Sequence, residues 1–131
     1  MNSDKFSKRL ESDAHDLVYI LKKKDGNSTT TSFGRNIEFT LEQLDNLRET
    51  HKSQLRELLR TECYVGTGLL RFKDLAYKGH AVPHQEKGKL YDRLFEIEKE
   101  KRHLDTLYQD KLSRLQGRLL DLIQKSESVY G

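Results

Sequence analysis

Leucine and its apolar relatives recur through most of this chain at intervals of three and four residues. That spacing gathers them on one face only if the backbone is helical. In the third and most regular stretch, Leu90, Leu94, Ile97, Leu104, Tyr108, Leu112, Leu115, Leu119 and Leu122 form a heptad pattern with one four-four step near Tyr108, as in a coiled coil that changes pitch. A helix is expected over residues 89–126. A second runs from 37 to 78 on Ile37, Leu41, Leu44, Leu47, Leu55, Leu58 and Leu59, continuing through Val65, Leu69, Phe72 and Leu75. A shorter first helix over 4–24, capped by Ser3, carries Phe6, Leu10, Ala14, Leu17 and Leu21. Lys22, Lys23 and Lys24 suit its C-terminal dipole, and Gly26 offers a C-cap.

Two segments interrupt the periodicity. GNSTTTSFGR, within a linker expected over 25–36, lacks helical spacing, and its Asn27-Ser28-Thr29, although it matches a glycosylation pattern, reads as a turn in the absence of an export signal. Gly79, the single proline Pro83 and Gly88 fall close together and mark a loop over 79–88. Two long helices joined by so short a loop fold back antiparallel. The expected fold is therefore all-α: a long antiparallel helical hairpin, or coiled coil, with a shorter N-terminal helix packed on its base, in one domain spanning 1–131.

Composition supports this class. Hydrophobic and charged residues each make up 34% of the chain, against roughly 45–50% apolar in ordinary globular domains. That is too little for a thick layered core and enough for helices that each bury a narrow stripe. The lone Cys63 excludes an internal disulfide. The first twenty residues lack the apolar core of a secretory signal. An intracellular protein of cytoplasm or nucleus is expected.

No catalytic signature is present. The chain has no phosphate-cradling glycine loop, HExxH or GxSxG, and Cys63 on a leucine-rich helix reads as a small packing residue. Neither an enzyme nor a cofactor is expected. Of the five histidines only His80 and His84 are close in sequence. Pro83 between them prevents two ligands on one helical turn, so no metal site is assigned.

Three features bear on function. The first is charge: residues 71–89 hold Arg71, Lys73, Lys78, Lys87 and Lys89 against Asp74 and Glu86, five minus two, which equals the net +3 of the whole chain. With Tyr77, His80 and His84 these make a basic tip suited to an acidic partner or to phosphates. The second is spare apolar surface, with Leu70, Phe72, Leu75, Tyr91 and Phe95 exceeding the needs of one seam. The third is a polar interruption. Lys101 occupies a seam position, and folding about Pro83 sets it against Gly66 and Gly68, which predicts a flexible joint, a polar register-setting layer, or a lysine that snorkels outward.

These features support three readings. The first is a non-enzymatic coiled-coil adaptor or scaffold subunit that binds protein partners by helix packing, a second copy among them. The second is a nucleic-acid-binding arm led by the basic tip. The third is a helical chaperone or regulator of a partner protein.

Overall fold

A computed structural model describes the backbone of residues 2–23 and 28–130, with side chains for 5–22 and 32–128. Three helices account for almost all of it: α1 (Asn2–Lys23), α2 (Ser28–Tyr77) and α3 (His84–Tyr130). The described residues contain no strand, so the chain is all-α. It divides into two compact units, Met1–Glu49 with Gln109–Gly131, and Thr50–Tyr108.

Unit 1 is a three-helix bundle. Its core joins Leu10, Ala14, Val18 and Leu21 of α1 to Ile37, Leu41 and Leu44 of α2 and Leu119 and Ile123 of α3. Ile37, Leu44 and Leu119 are wholly enclosed, each contributing about 1.5–3 kcal/mol relative to exposure. Val18 takes the buried place on α1 while Leu17 packs at its edge, and Phe6, expected in the stripe, is exposed. At the rim Arg48 grips both carboxylate oxygens of Glu11, and Lys22 pairs with Glu38. The Thr40 hydroxyl is buried yet satisfied, donating to the Asn36 carbonyl at 2.9 Å.

The helix ends depart from expectation. Ser3 lies inside α1 rather than capping it. Lys24, Gly26 and Asn27, expected as dipole partner, C-cap and part of a turn, lie outside the described residues. The expected linker over 25–36 is corrected most: α2 starts at Ser28 and takes in most of the segment. The reason is tertiary. Phe33 packs against the unit 1 core, and Gly34 is buried where an added Cβ would lie 3.9 Å from the Cβ of Leu21. Packing on α1 overrides the weak helix propensity of threonine and glycine.

Unit 2 contains the chain reversal. α2 ends on Gly79, whose φ of 79° is the left-handed conformation of a Schellman cap. Gly79 N–H donates to the Ala76 carbonyl at 3.1 Å and His80 N–H to the Leu75 carbonyl at 2.9 Å. The loop covers 78–83, shorter than the 79–88 expected, because α3 already begins at His84. Pro83 stands just ahead of the first turn, where its missing N–H costs nothing, and its carbonyl accepts from Lys87 N–H at 3.0 Å. Gly88 therefore sits within α3 and is not part of the stop. Beyond the loop, Leu58, Val65 and Leu69 of α2 enclose Ile97 of α3, flanked by Leu90, Leu94 and Leu104.

The early start of α2 is open to test at Gly34. Proline there, inside a helix, is expected to cost about 3 kcal/mol in chemical denaturation. Alanine has room beside Leu21 and should gain up to about 1 kcal/mol. Equal tolerance of both substitutions would return residues 28–36 to a linker.

Candidate interaction surface

Three contacts fix how α2 and α3 meet within unit 2. The His51 ring stacks on Tyr108 with centroids 4.1 Å apart and planes 18° apart. The Lys101 ammonium reaches the Glu62 carboxylate and, at 3.3 Å, that of Glu98. A Cβ on Gly68 would lie 3.0 Å from Leu90 Cδ1. Residues 51, 62 and 68 thus meet 108, 101 and 90, so the two helices run in opposite directions. The expected pairing of Lys101 with Gly66, set by a fold about Pro83, is corrected by about one helical turn. Its cause is the reversal at Gly79, earlier than Pro83.

The polar layer at Lys101 has a partner that the sequence reading missed. Glu62 lies on α2 four residues before Gly66, within reach of a long lysine side chain. The hydrogen bond to Glu62 is the main cause of a Lys101 pKa raised above its ordinary value. Desolvation opposes it and Glu98 adds to it. The glycines opposite serve unlike ends. Gly68 gives Leu90 its space, whereas a Cβ on Gly66 would meet nothing within 4 Å. α2 is an unbroken helix through both.

Four exposed apolar side chains of unit 2 follow the seam by one position, whereas Tyr64 and Leu107 precede it and lie elsewhere. Leu59 comes after buried Leu58, Leu70 after Leu69, Tyr91 after Leu90 and Phe95 after Leu94. One residue is about 100° of helical rotation. Each exposed stripe is therefore turned by the same angle in the same sense from its own seam. On helices running in opposite directions, equal rotations point to the same side of the pair. Leu70 is 64% exposed, Phe95 63% and Tyr91 49%, and Lys99 lies over the Phe95 ring at 4.6 Å. The α2 stripe reads Leu59, Cys63, Gly66, Leu70, Lys73 and Tyr77, a four-three alternation legible from sequence but overlooked beside the stronger seam. Phe72 and Leu75, expected in this set, are half-buried and lie more than about 100° away from Leu70 on the helix.

At the tip, Arg71, Lys73, Tyr77, Lys78, His80, His84 and Lys89 are exposed and Lys87 is half-buried. Lys78 is paired with Asp74 at 3.0 Å. On the opposite side of unit 2, a shallow groove of about 320 Å³ is lined by Gln54, Glu57, Leu58, Glu100, His103 and Leu104. No group of three or more His, Cys, Asp or Glu side chains is placed to hold a metal ion among the described residues. None of the described helices is long and apolar enough to cross a membrane. No protein-family model, curated protein or solved structure matches the chain.

Two measurements probe this geometry. Gly66→Ala is expected to raise stability by about 1 kcal/mol. Gly68→Ala should gain less or lose, because Leu90 must move to admit the new methyl. Equal gains would mean that Leu90 does not pack on Gly68.

A raised folded-state pKa means that Lys101 stabilises below its unfolded-chain value of about 10.4. That contribution fades as pH climbs through the folded value. Thermal unfolding should accordingly show the wild type losing its advantage over Lys101→Met above about pH 10.4. A constant difference across that window would rule out the Glu62 pairing as its source.

Proposed function

We propose that this chain is a non-enzymatic adaptor, an intracellular scaffold subunit that binds protein helices. In this reading the helices of unit 2 form a coiled-coil hairpin, and the working surface is the side bearing Leu70, Tyr91 and Phe95. The observation that carries it is the alignment of those three exposed side chains on one side of the pair, apart from the seam. Scattered single apolar residues are normal on a protein surface, whereas a contiguous apolar face usually marks an interface. Large aromatic side chains ringed by charge are the composition that partner helices select.

The nucleic-acid reading draws on the basic tip, where Arg71, Lys73, Lys87 and Lys89 form no ion pair among the described residues. It differs sharply in salt dependence, since binding through five or so phosphates would weaken by orders of magnitude between low and moderate salt. Helix packing through apolar side chains would barely change.

The test is affinity capture with the wild type and with a Leu70→Ser, Tyr91→Ser, Phe95→Ser variant, matched for helicity by circular dichroism. The variant is expected to lose captured proteins that Lys73→Glu, Lys78→Glu, Lys87→Glu retains, and moderate salt should leave them bound. The opposite pattern would replace the adaptor with the nucleic-acid arm.

A further inference from the structure

Within unit 1 the chain itself shows how a third helix covers a pair of helices. Lys22 of α1 pairs with Glu38 of α2, Glu11 with Arg48, and Leu21 lies against Gly34. His15 and Tyr19 share a groove with Leu41 and Asp45. Residues 34, 38, 41, 45 and 48 alternate four and three. Of these, Glu38 and Asp45 each come one position after a wholly enclosed residue, Ile37 and Leu44. On α3, Gln116 comes one after Leu115 and donates to the Ser7 hydroxyl of α1. The covering helix therefore sits where α2 and α3 are each turned about 100° from their core line.

Within unit 2 the same positions are uncovered. Residues 59, 63, 66, 70, 73 and 77 of α2 again alternate four and three, and Leu59 and Leu70 come one after buried Leu58 and Leu69. On α3, Tyr91 comes one after Leu90. Gly66 follows Val65 as Gly34 follows Phe33. A Cβ on Gly34 would lie 3.9 Å from Leu21 of the covering helix, whereas one on Gly66 would meet nothing within 4 Å. The bare backbone at Gly66 leaves room for a close approach.

Charge on that side selects the occupant. Lys73 lies three residues after Leu70 and Lys87 four before Tyr91, so each shares the face of its neighbour. The contacts 62 with 101 and 68 with 90 set these two lysines about level. Neither forms an ion pair among the described residues. The acids nearest this side are engaged, Glu98 by Lys101 at 3.3 Å and Asp74 by Lys78 at 3.0 Å. Asp92 follows Leu90 by two and Glu96 precedes Ile97 by one, so both are turned elsewhere, as is Arg71, two after Leu69. Glu86, four before Leu90, lies on the line of the seam. The uncovered side thus presents two unpaired cations and no unpaired acid.

The geometry points to an acidic amphipathic helix, contributed by another protein, as the occupant of this side. It lies on unit 2 as α1 lies on the helices of unit 1. Its apolar residues meet Leu70, Tyr91 and Phe95, its backbone passes close to Gly66, and its carboxylates reach Lys73 and Lys87 towards the tip. α1 of a second copy does not suit, since Asn2–Lys23 holds five cations against four acids, or +1. A nucleic-acid strand has phosphates for the lysines but stacks its bases on aromatic rings, not on the aliphatic Leu59 and Leu70. The proposal rests on the adaptor reading of the same surface and specifies its partner.

Fluorescence anisotropy with the full chain at moderate salt tests it, using two labelled helical peptides of about 20 residues, or about 30 Å. Both carry leucine at the first and fourth heptad positions, and the flanking positions hold glutamate in one and lysine in the other. The acidic peptide is expected to bind about tenfold more tightly or better. Lys73→Glu with Lys87→Glu should reverse that preference. Gly66→Gln separates binding from folding, because its side chain enters open space within the chain. It should keep or raise the unfolding temperature and yet weaken the acidic peptide severalfold by holding the helix away.

Equal binding of the two peptides, or a preference unmoved by the lysine reversal, overturns the acidic partner. If that binding is still lost with Leu70→Ser, Tyr91→Ser, Phe95→Ser, the adaptor reading stands. Failure of both peptides to bind, or undiminished binding by Gly66→Gln, overturns the docked helix, and the affinity capture described above decides the adaptor reading separately. A single-stranded oligonucleotide that binds more tightly than the acidic peptide, and is released by Lys73→Glu with Lys87→Glu, puts a nucleic acid in its place.

Discussion

Unit 2 depends on the enclosure of Ile97 by Leu58, Val65 and Leu69. Those four are its only buried apolar side chains among the described residues, and Ile97 alone is wholly enclosed, so the pairing of α2 with α3 there rests on one seam, one side chain wide. A seam that narrow tolerates little. A register shift of one residue would turn each helix by about 100° and bring exposed Leu70 or Phe95 toward the seam. Apolar side chains on adjacent positions make that slip less costly than it would be beside a polar neighbour. Devices that fix the register are therefore needed, and three are present. Glu62 with Lys101, Gly68 with Leu90, and His51 with Tyr108 are spread along the pair. Each depends on a specific partner at a specific height, unlike leucine against leucine.

Most of the architecture was legible because it depends on periodicity. Three helices, their order and the reversal near Pro83 follow from where apolar residues recur and where glycine and proline interrupt them. The boundaries were less legible. Residues 28–36 read as a linker since threonine, serine and glycine favour none, and their helicity comes from Phe33 and Gly34 packing on α1, a long-range contact invisible to local spacing. Local spacing sets the tip too late because Gly88 resembles part of the stop. The actual stop is the left-handed Gly79 with the hydrogen bonds around it, and Gly88 is simply an expensive residue inside a helix.

The surface shows the same division. Leu70, Tyr91 and Phe95 were readable as surplus over a single seam, and they are exposed. Phe72 and Leu75 belonged to the same surplus by composition and are half-buried, a distinction that only the helical rotation from Leu69 makes. Lys101 stood out as a charge in a seam position, but Glu62, its partner, did not. Glu62 looks like any other acid on a charge-rich helix until the register is known. The wider stripe through Leu59, Cys63, Leu70 and Tyr77 was available in the sequence, overshadowed by the stronger pattern beside it.

The register joins these points, since it decides which residues share a height and therefore what the exposed side presents. Cys63 is the chain's single cysteine and is exposed on that side, which makes it a native attachment point for a nitroxide label. Paramagnetic broadening of backbone amide resonances, read with a dilute labelled protein, measures the register directly. Broadening on α3 should be strongest around Glu98 and fall away on either side. A maximum near Leu104, the position implied by a fold about Pro83, or no effect on α3 at all, would contradict the pairing on which this account depends.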